Sequence, residues 1–285
     1  MTGPRIATVF THHHPEETTA AIRRVIEVAG ERGVALRFPE GEIEKHSLEE
    51  APGVELGADP DGPTDIALVL GGDGTILTAL RSCATNQAPV FAFNYGAIGF
   101  LSTVDRDELD SGLARAFDGD FEVLAMPTLA VEVGGETRMG VNDISFQRHA
   151  NTRVATLEYS VGDEQLGRVR CDGLVAATPV GSTGYNLANG GPVLAWGVEG
   201  FVVSFIAPHT LTARSLVVAP DDTLTVTNAS ERDAVDVTTD GRPIGDLPPG
   251  DQLELRFRDD QVMLAQMPGS SFYHRFRDKF GRLAS

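Results

Sequence analysis

The segment Gly71-Gly72-Asp73-Gly74-Thr75 is the part of this sequence best suited to chemistry. It directly follows a continuous apolar run, Asp65 to Leu70, and precedes a helical pattern with Ile76, Leu77, Leu80 and Cys83 on one side. Glycines let backbone N–H groups approach a phosphate closely, and the N-terminus of the following helix adds donors and partial positive charge. A carboxylate there can take a proton from an attacking hydroxyl or help hold a metal. The spacing is neither the dinucleotide fingerprint of separated glycines nor the lysine-containing phosphate loop of nucleotide hydrolases. A tight strand-to-helix turn with a capping Asp is the plain alternative, and the motif alone leaves both open.

Further motifs follow in order. Asn94-Tyr95-Gly96-Ala97-Ile98-Gly99-Phe100-Leu101 comes after the next strand-like run, and Asn142-Asp143-Ile144 lies in a β-rich region. Asp172-Gly173-Leu174 leads through Thr178-Pro179-Val180-Gly181-Ser182-Thr183-Gly184-Tyr185 to Gly190-Gly191-Pro192. Asn142-Asp143 by itself reads as an Asx-type turn. The Gly181–Tyr185 stretch supplies small residues, two hydroxyls and an aromatic face, which suits a purine with polar edges.

Over roughly Ala67 to Arg242, these motifs in this order resemble the NAD kinase family. The resemblance implies an enzyme that phosphorylates the 2′-hydroxyl of the adenosine ribose of NAD to make NADP. It implies Asp73 as the catalytic base, with Gly71, Gly72, Gly74 and Thr75 along the phosphate path and Asn94 near it. Asn142 and Asp143 fit the family's Asn-Glu/Asp pair for ribose hydroxyls and the adenine edge. Arg153, Arg170 and Asp172 fall where the family makes further dinucleotide contacts, the arginines being suited to pyrophosphate; a surface ion pair is their plain reading. Val180, Thr183, Gly184, Tyr185, Asn186, Leu187 and Ala188 belong to the substrate-binding segment. Gly184 and Asn186 depart from the family's common Ala and Ser. Arg242 brings a full charge where the family often has Gln. The resemblance further implies ATP or polyphosphate as donor, Mg²⁺ or another divalent cation travelling with it rather than in a dedicated metal site, and a homodimer or homotetramer.

The glycine turn also resembles that of diacylglycerol and sphingosine kinases, and a related turn occurs in phosphofructokinases. Those families lack the Asn142-Asp143 pair and the Thr178–Tyr185 segment in this form. A non-catalytic dinucleotide sensor is disfavoured because a mere binder has no need of a carboxylate beside the phosphate path.

The elements that must position these residues alternate at first. Arg5 to Phe10 reads as a strand, Ala21 to Ala29 as a helix stopping at Gly30, and Val34 to Phe38 and Pro89 to Phe93 as strands. Beyond Phe121, runs at Leu129–Val133, Thr137–Val141, Ala155–Val161, Thr223–Thr227, Ala234–Thr239 and Gln252–Phe257 suit antiparallel hairpins, with turns at Gly134-Gly135 and Gly162-Asp163. Phe272, Phe276 and Phe280 make Ser271 to Leu283 an amphipathic helix. The expectation is an α/β N-terminal domain (1–121), an all-β C-terminal domain (122–268) and a last helix (269–285) returning to the first.

Composition sets the surroundings. The 285 residues hold 23 Lys+Arg against 41 Asp+Glu, a net charge of −18, and the only lysines are Lys45 and Lys279. Such a field repels nucleic acid and anionic membranes and keeps a protein soluble in salt, so we expect neither as partner and a high-salt cytoplasm of the kind a halophilic archaeon keeps. Cys83 and Cys171 lack metal or redox spacing and are expected to be buried. His12-His13-His14 is expected to be a solvated loop, since consecutive side chains do not converge on one ion from a regular element. His209 lies in a segment that the resemblance sets near the active site, without a catalytic role.

Overall fold

The computed structural model describes residues 3–97 and 99–281. Ile98 of the Asn94–Leu101 motif and the end of the expected C-terminal helix, Arg282 and Leu283, lie outside the described residues. The chain forms two compact units: residues up to Ala125 with those from Gln261 onward, and Met126–Asp260.

The first unit contains β1 (Ile6–Thr11), α1 (Thr19–Arg32), β2 (Ala35–Phe38), α2 (Glu40–His46), β3 (Val54–Leu56), β4 (Ile66–Gly71), α3 (Asp73–Ser82), β5 (Val90–Asn94), β6 (Val104–Asp105) and α4 (Leu109–Asp118). Its sheet is parallel in the order β5-β4-β1-β2-β3. β4 is buried along its whole length and β5 up to its last residue, as expected of strands with helices on their faces. α1 and α4 bury Ile22, Val25, Leu113 and Phe117 with Leu68 and Phe91. The sequence reading stopped α1 at Gly30; the helix instead runs to Arg32, because Gly33 takes the left-handed conformation (φ 67°) that closes it, with Val34 N–H donating to Ala29 O at 2.9 Å.

The second unit begins within β7 (Glu122–Val133) and continues through β8 (Glu136–Gly140), β9 (Asp143–Arg148), β10 (Ala155–Val161), β11 (Glu164–Cys171), β12 (Gly173–Ala177), α5 (Tyr185–Ala188), β13 (Phe201–Ile206), β14 (Leu216–Val218), β15 (Thr223–Asn228), β16 (Val235–Thr239), β17 (Arg242–Leu247) and β18 (Gln252–Gln266). One antiparallel sheet has the order β14-β13-β12-β9-β16-β17. Strands β11-β10-β15-β18 form a second antiparallel run. Ile144, Phe146, Leu174 and Val237 of the first share one core with Leu157, Val226 and Leu255 of the second. Alternation along β9 therefore turns Asp143 and Ser145 to the face opposite this core. Gly134 and Gly135 make the β7–β8 turn with φ of 62° and 81°. The fold class is an α/β N-terminal part joined to a mainly antiparallel β part.

The β-rich region ends earlier than its sequence reading to residue 268, since 261–268 belong to the first unit. β18 continues past the charged Arg258-Asp259-Asp260, which interrupts the apolar alternation, and its end pairs in parallel with β5, Leu264 beside Val90. α6 (Phe272–Phe280) follows in the same unit, with Phe272 and Phe280 against Phe100 and Phe276 between them. Among the described residues no helix is long and apolar enough to cross a membrane. Cys83 and Cys171 are buried, which pushes both thiols up to about 12.

Thr103 holds the end of β18 to β5: its buried hydroxyl accepts from Ala92 N–H and donates to Ala265 O, both at 2.9 Å. Thr103→Val keeps the shape but strands one buried donor and one acceptor. We expect it to cost about 1–3 kcal/mol, read as a lower unfolding midpoint in denaturant; an unchanged midpoint would refute the assignment.

Candidate active site

In the first unit, β4 ends at Gly71 and α3 begins at Asp73, with Gly72 as the extended residue between them. The N–H groups of Asp73 and Gly74 open the helix and have no partner within it. Close approach of neighbouring atoms explains most of the glycines, backbone at Gly72 and Gly96 and the Thr75 side chain at Gly71. A Cβ on Gly96 would stand 2.7 Å from Gly72 Cα, and one on Gly71 would stand 2.6 Å from Thr75 Oγ1. Gly74 differs: it is exposed and a Cβ there would meet nothing within 4 Å. That open space leaves the helix N-terminus accessible to an anion.

Asp73 does not cap its own helix. Its carboxylate reaches the loop after β5, where Oδ2 accepts from Phe100 N–H at 3.2 Å and Oδ1 from Leu101 N–H at 3.0 Å. Each oxygen keeps a further lone pair for a hydroxyl proton or for a cation arriving with phosphates. Arg275 of α6 steadies the same loop by donating to Phe100 O at 3.1 Å and Ser102 O at 2.5 Å. Its burial lowers its pKa, with the charge of Asp73 opposing the shift. Asn94 is spent on this loop, accepting from Gly96 N–H at 3.1 Å and donating to Asp105 at 3.3 Å.

In the second unit three strands bring their ends together. Antiparallel pairing sets Ala177 at the end of β12 beside Asp143, and Thr239 at the end of β16 beside Ile144. Thr178, buried, donates its N–H to Asn142 O at 2.9 Å and its hydroxyl to Val141 O at 2.7 Å, while accepting from Gly181 N–H at 3.1 Å. Gly181 is forced by this contact, since a Cβ would stand 1.9 Å from Asn142 O. From the other side the Asp240 carboxylate accepts from the N–H groups of Val141 (3.2 Å), Asn142 (2.6 Å) and Asp143 (3.2 Å). Asp240 and Gly241 both have positive φ, 46° and 73°, as a two-residue hairpin turn requires.

Between these braces Asn142 Oδ1 is buried with no hydrogen-bond partner. Asp143 is buried, and burial together with the charge of Asp240 pushes its carboxyl up to about 7. Burial raises the Tyr185 hydroxyl above its ordinary value, and the charges of Asp143 and Asp172 add to the shift. Asp172 is paired with Arg148 at 2.7 Å.

The other expected residues separate into two groups. Gly184 is exposed, and Thr183 and Leu187 are half-buried around α5; Thr183 donates to Val180 O at 3.1 Å, and Val180 is itself buried. Arg153, Arg170, Ala188 and Arg242 are exposed, Arg170 on β11 and Arg242 at the start of β17. Asn186 is fully buried and its amide donates to Ser182 O and Pro192 O, both at 2.9 Å, which shapes the Gly190-Gly191-Pro192 turn. The rings of His12, His13 and His14 lie against one another in the loop after β1. From sequence, Asp240, Arg148 and Arg275 have no assigned role, and Thr178 is named only within a motif. Asp240-Gly241 is a hairpin-turn pair between two strand-like runs, a signal that could have found it; nothing near Arg275 points to a loop so far away in sequence.

The folded protein holds a proton on Asp143 that an unfolded Asp releases above about pH 4. With the folded value near 7, this group lowers stability as pH rises from about 4 to 7, and its full cost stands above that. Asp143→Asn should match wild type near pH 4 and gain over it progressively towards pH 8 in thermal melts. A difference that stays flat over that range would show that Asp143 is not held protonated.

Residues 16–121 match the family model for the ATP-NAD kinase N-terminal domain, and residues 141–266 that for the ATP-NAD kinase C-terminal domain. The NAD kinase of Caldanaerobacter subterraneus subsp. tengcongensis is 34% identical over 221 residues, 76% of this chain and 78% of that protein. The NAD kinase of a Geobacter species is 32% identical over 281 residues, 95% of this chain and 96% of that one. Among solved structures, yeast NADH kinase complexed with NADH superposes with a TM-score of 0.87 at 22% identity, covering 99% of this chain and 89% of that chain. An NAD kinase from Archaeoglobus fulgidus in complex with ATP gives 0.73 at 23% identity, covering 98% of each. The solved structures share the fold; the two family models and the agreement in sequence with these relatives make the chain a member of the NAD kinase family.

Proposed function

We propose that Asp73 is the proton acceptor when this chain phosphorylates the 2′-hydroxyl of the adenosine ribose of NAD. As a kinase of the NAD kinase family the chain converts NAD to NADP; the assignment of roles to residues is our reading. The hydroxyl oxygen attacks the terminal phosphorus of the donor, the bond from that phosphorus to the leaving phosphate breaks, and the hydroxyl proton passes to the Asp73 carboxylate. The supporting observation is that carboxylate itself, held by the Phe100 and Leu101 amides at the open start of α3. Phosphoryl transfer is mostly positioning and charge neutralisation, so backbone donors from Gly71 to Thr75, a carboxylate and a divalent cation make a sufficient set. Mg²⁺ or another divalent cation bound with the donor would supply neutralising charge to its phosphates. The donor is ATP or polyphosphate, ATP being the ligand of the Archaeoglobus relative.

Asn142 and Asp143 are assigned to the ribose hydroxyls and the adenine edge, because Asn142 Oδ1 is buried and lacks a donor and Asp143 is poised between donor and acceptor near neutral pH. Tyr185, with Gly184 and Thr183, offers the purine a ring and small neighbours. Arg153, Arg170 and Arg242 are exposed and are assigned to the pyrophosphate, for which an acidic protein needs cations. The proposed state is a homodimer or homotetramer in a reducing cytoplasm.

NADP formation from NAD, Mg²⁺ and either donor, assayed in molar KCl, tests this reading. Asp73→Asn should lower kcat by about 10²–10⁴-fold while NAD binding by calorimetry stays near wild type. Turnover within a few-fold of wild type would remove Asp73 from the proton transfer.

The net charge of −18 with only two lysines supports adaptation to high salt. The thermal midpoint should fall steeply from molar KCl to about 0.1 M, where the Debye length is about 10 Å. Full stability and activity at the lower salt would contradict it.

A further inference from the structure

We propose that His149, Asp236 and Asp246 form a site for one divalent first-row transition ion of the zinc class, apart from the residues assigned to phosphoryl transfer. His149 follows the end of β9, Asp236 lies on β16 and Asp246 on β17, so sheet pairing brings one ligand from each of three elements. His149 Nε2 stands 3.1 Å from Asp236 Oδ1 and 3.6 Å from Asp246 Oδ1, and the three ligand atoms lie within 4.8 Å of one another.

Two observations favour a bound cation over a simple ion pair. Asp236 and Asp246 are directly opposite across β16 and β17, where like charges destabilise a sheet, and the chain already carries a net charge of −18. Independently, Nε2 is shielded from solvent and makes no hydrogen bond, although a carboxylate oxygen is 3.1 Å away. An imidazolium N–H bonded to a carboxylate points at its oxygen. Around a metal, bonds of about 2.0–2.2 Å set neighbouring ligand atoms about 3.0–3.6 Å apart and roughly 35–45° off the ring-nitrogen axis. The two His149–carboxylate separations are those of a coordination edge, and Nε2 has no hydrogen bond beside the nearer oxygen.

The surroundings fit. The carbonyl of His149 accepts from Thr152 N–H at 3.2 Å and from its hydroxyl at 2.8 Å, so the loop is already a turn that presents the ring. The side chains of His149, Asp236 and Asp246 are 36%, 47% and 59% exposed, which leaves room for water to complete the shell. One imidazole with two carboxylates suits Zn²⁺ or Co²⁺ better than Mg²⁺ or Ca²⁺, which favour all-oxygen shells. The ion ties the loop that carries Arg153 to the β16–β17 hairpin, whose turn residue Asp240 braces Asn142 and Asp143.

The test is titration of EDTA-stripped full-length protein with Co²⁺ in molar KCl, followed by visible absorption and by calorimetric stoichiometry. We expect one Co²⁺ per chain, displaced by Zn²⁺ and accompanied by a rise in melting temperature. His149→Ala and Asp246→Asn should each weaken binding by more than the roughly 10–100-fold that loss of an outer-shell partner costs. Asp246 is exposed, so its Asn variant serves even where His149→Ala disturbs the loop. No binding at millimolar Co²⁺, or equal affinity in wild type and Asp246→Asn, would mean an ion pair only and overturn the proposal.

Discussion

Three successive backbone N–H groups, those of Val141, Asn142 and Asp143, converge on the carboxylate of Asp240, and the polar face of the second unit depends on that convergence. Without it the chain entering β9 would leave buried donors unpaired, at a cost comparable to several lost hydrogen bonds. With it, Asn142 Oδ1 stays buried without a protein donor and Asp143 stays buried beside a like charge. Such a state persists only where the surrounding backbone is over-determined. Thr178 and Gly181 supply the second constraint from the neighbouring strand end.

The first unit uses the same device with the roles exchanged. There the carboxylate is Asp73, at the start of α3, and the successive amides are those of Phe100 and Leu101. In both units an aspartate fixes a loop distant in sequence, and the loop fixes the aspartate. A charge-assisted bond to a backbone N–H is stronger than a neutral one and does not depend on a flexible cationic partner. That suits a chain with 23 basic against 41 acidic residues, in which many carboxylates must find partners other than arginine.

Local turns are easier to read from the sequence than the contacts that hold them. The place of Asp73 at a strand-to-helix turn is legible because a buried strand, two glycines and a helical pattern are contiguous, and such a turn is a local structure. Asn142 and Asp143 were legible only as one motif among several in order, because their letters alone describe an ordinary turn. Asn94 and Asn186 were harder to read: an amide in a glycine-rich segment serves a ligand or a loop equally well, and their hydrogen bonds to Gly96 and Asp105, and to Ser182 and Pro192, exist only in the folded loop. The end of β18 escaped notice because Arg258-Asp259-Asp260 breaks the period-two pattern that marks a strand.

By itself, then, the sequence determined the class of fold, the acidic composition and the glycine-rich strand-to-helix turn, since each follows from local spacing or from composition. Tertiary structure alone decided which carboxylate braces which loop, that Arg275 of α6 reaches the loop holding Asp73, and that His149 meets Asp236 and Asp246. Those contacts join residues far apart in the chain through parallel crossovers and antiparallel register. The register is set by which side chains the two cores can bury, and that choice is made by the whole fold rather than by any one segment.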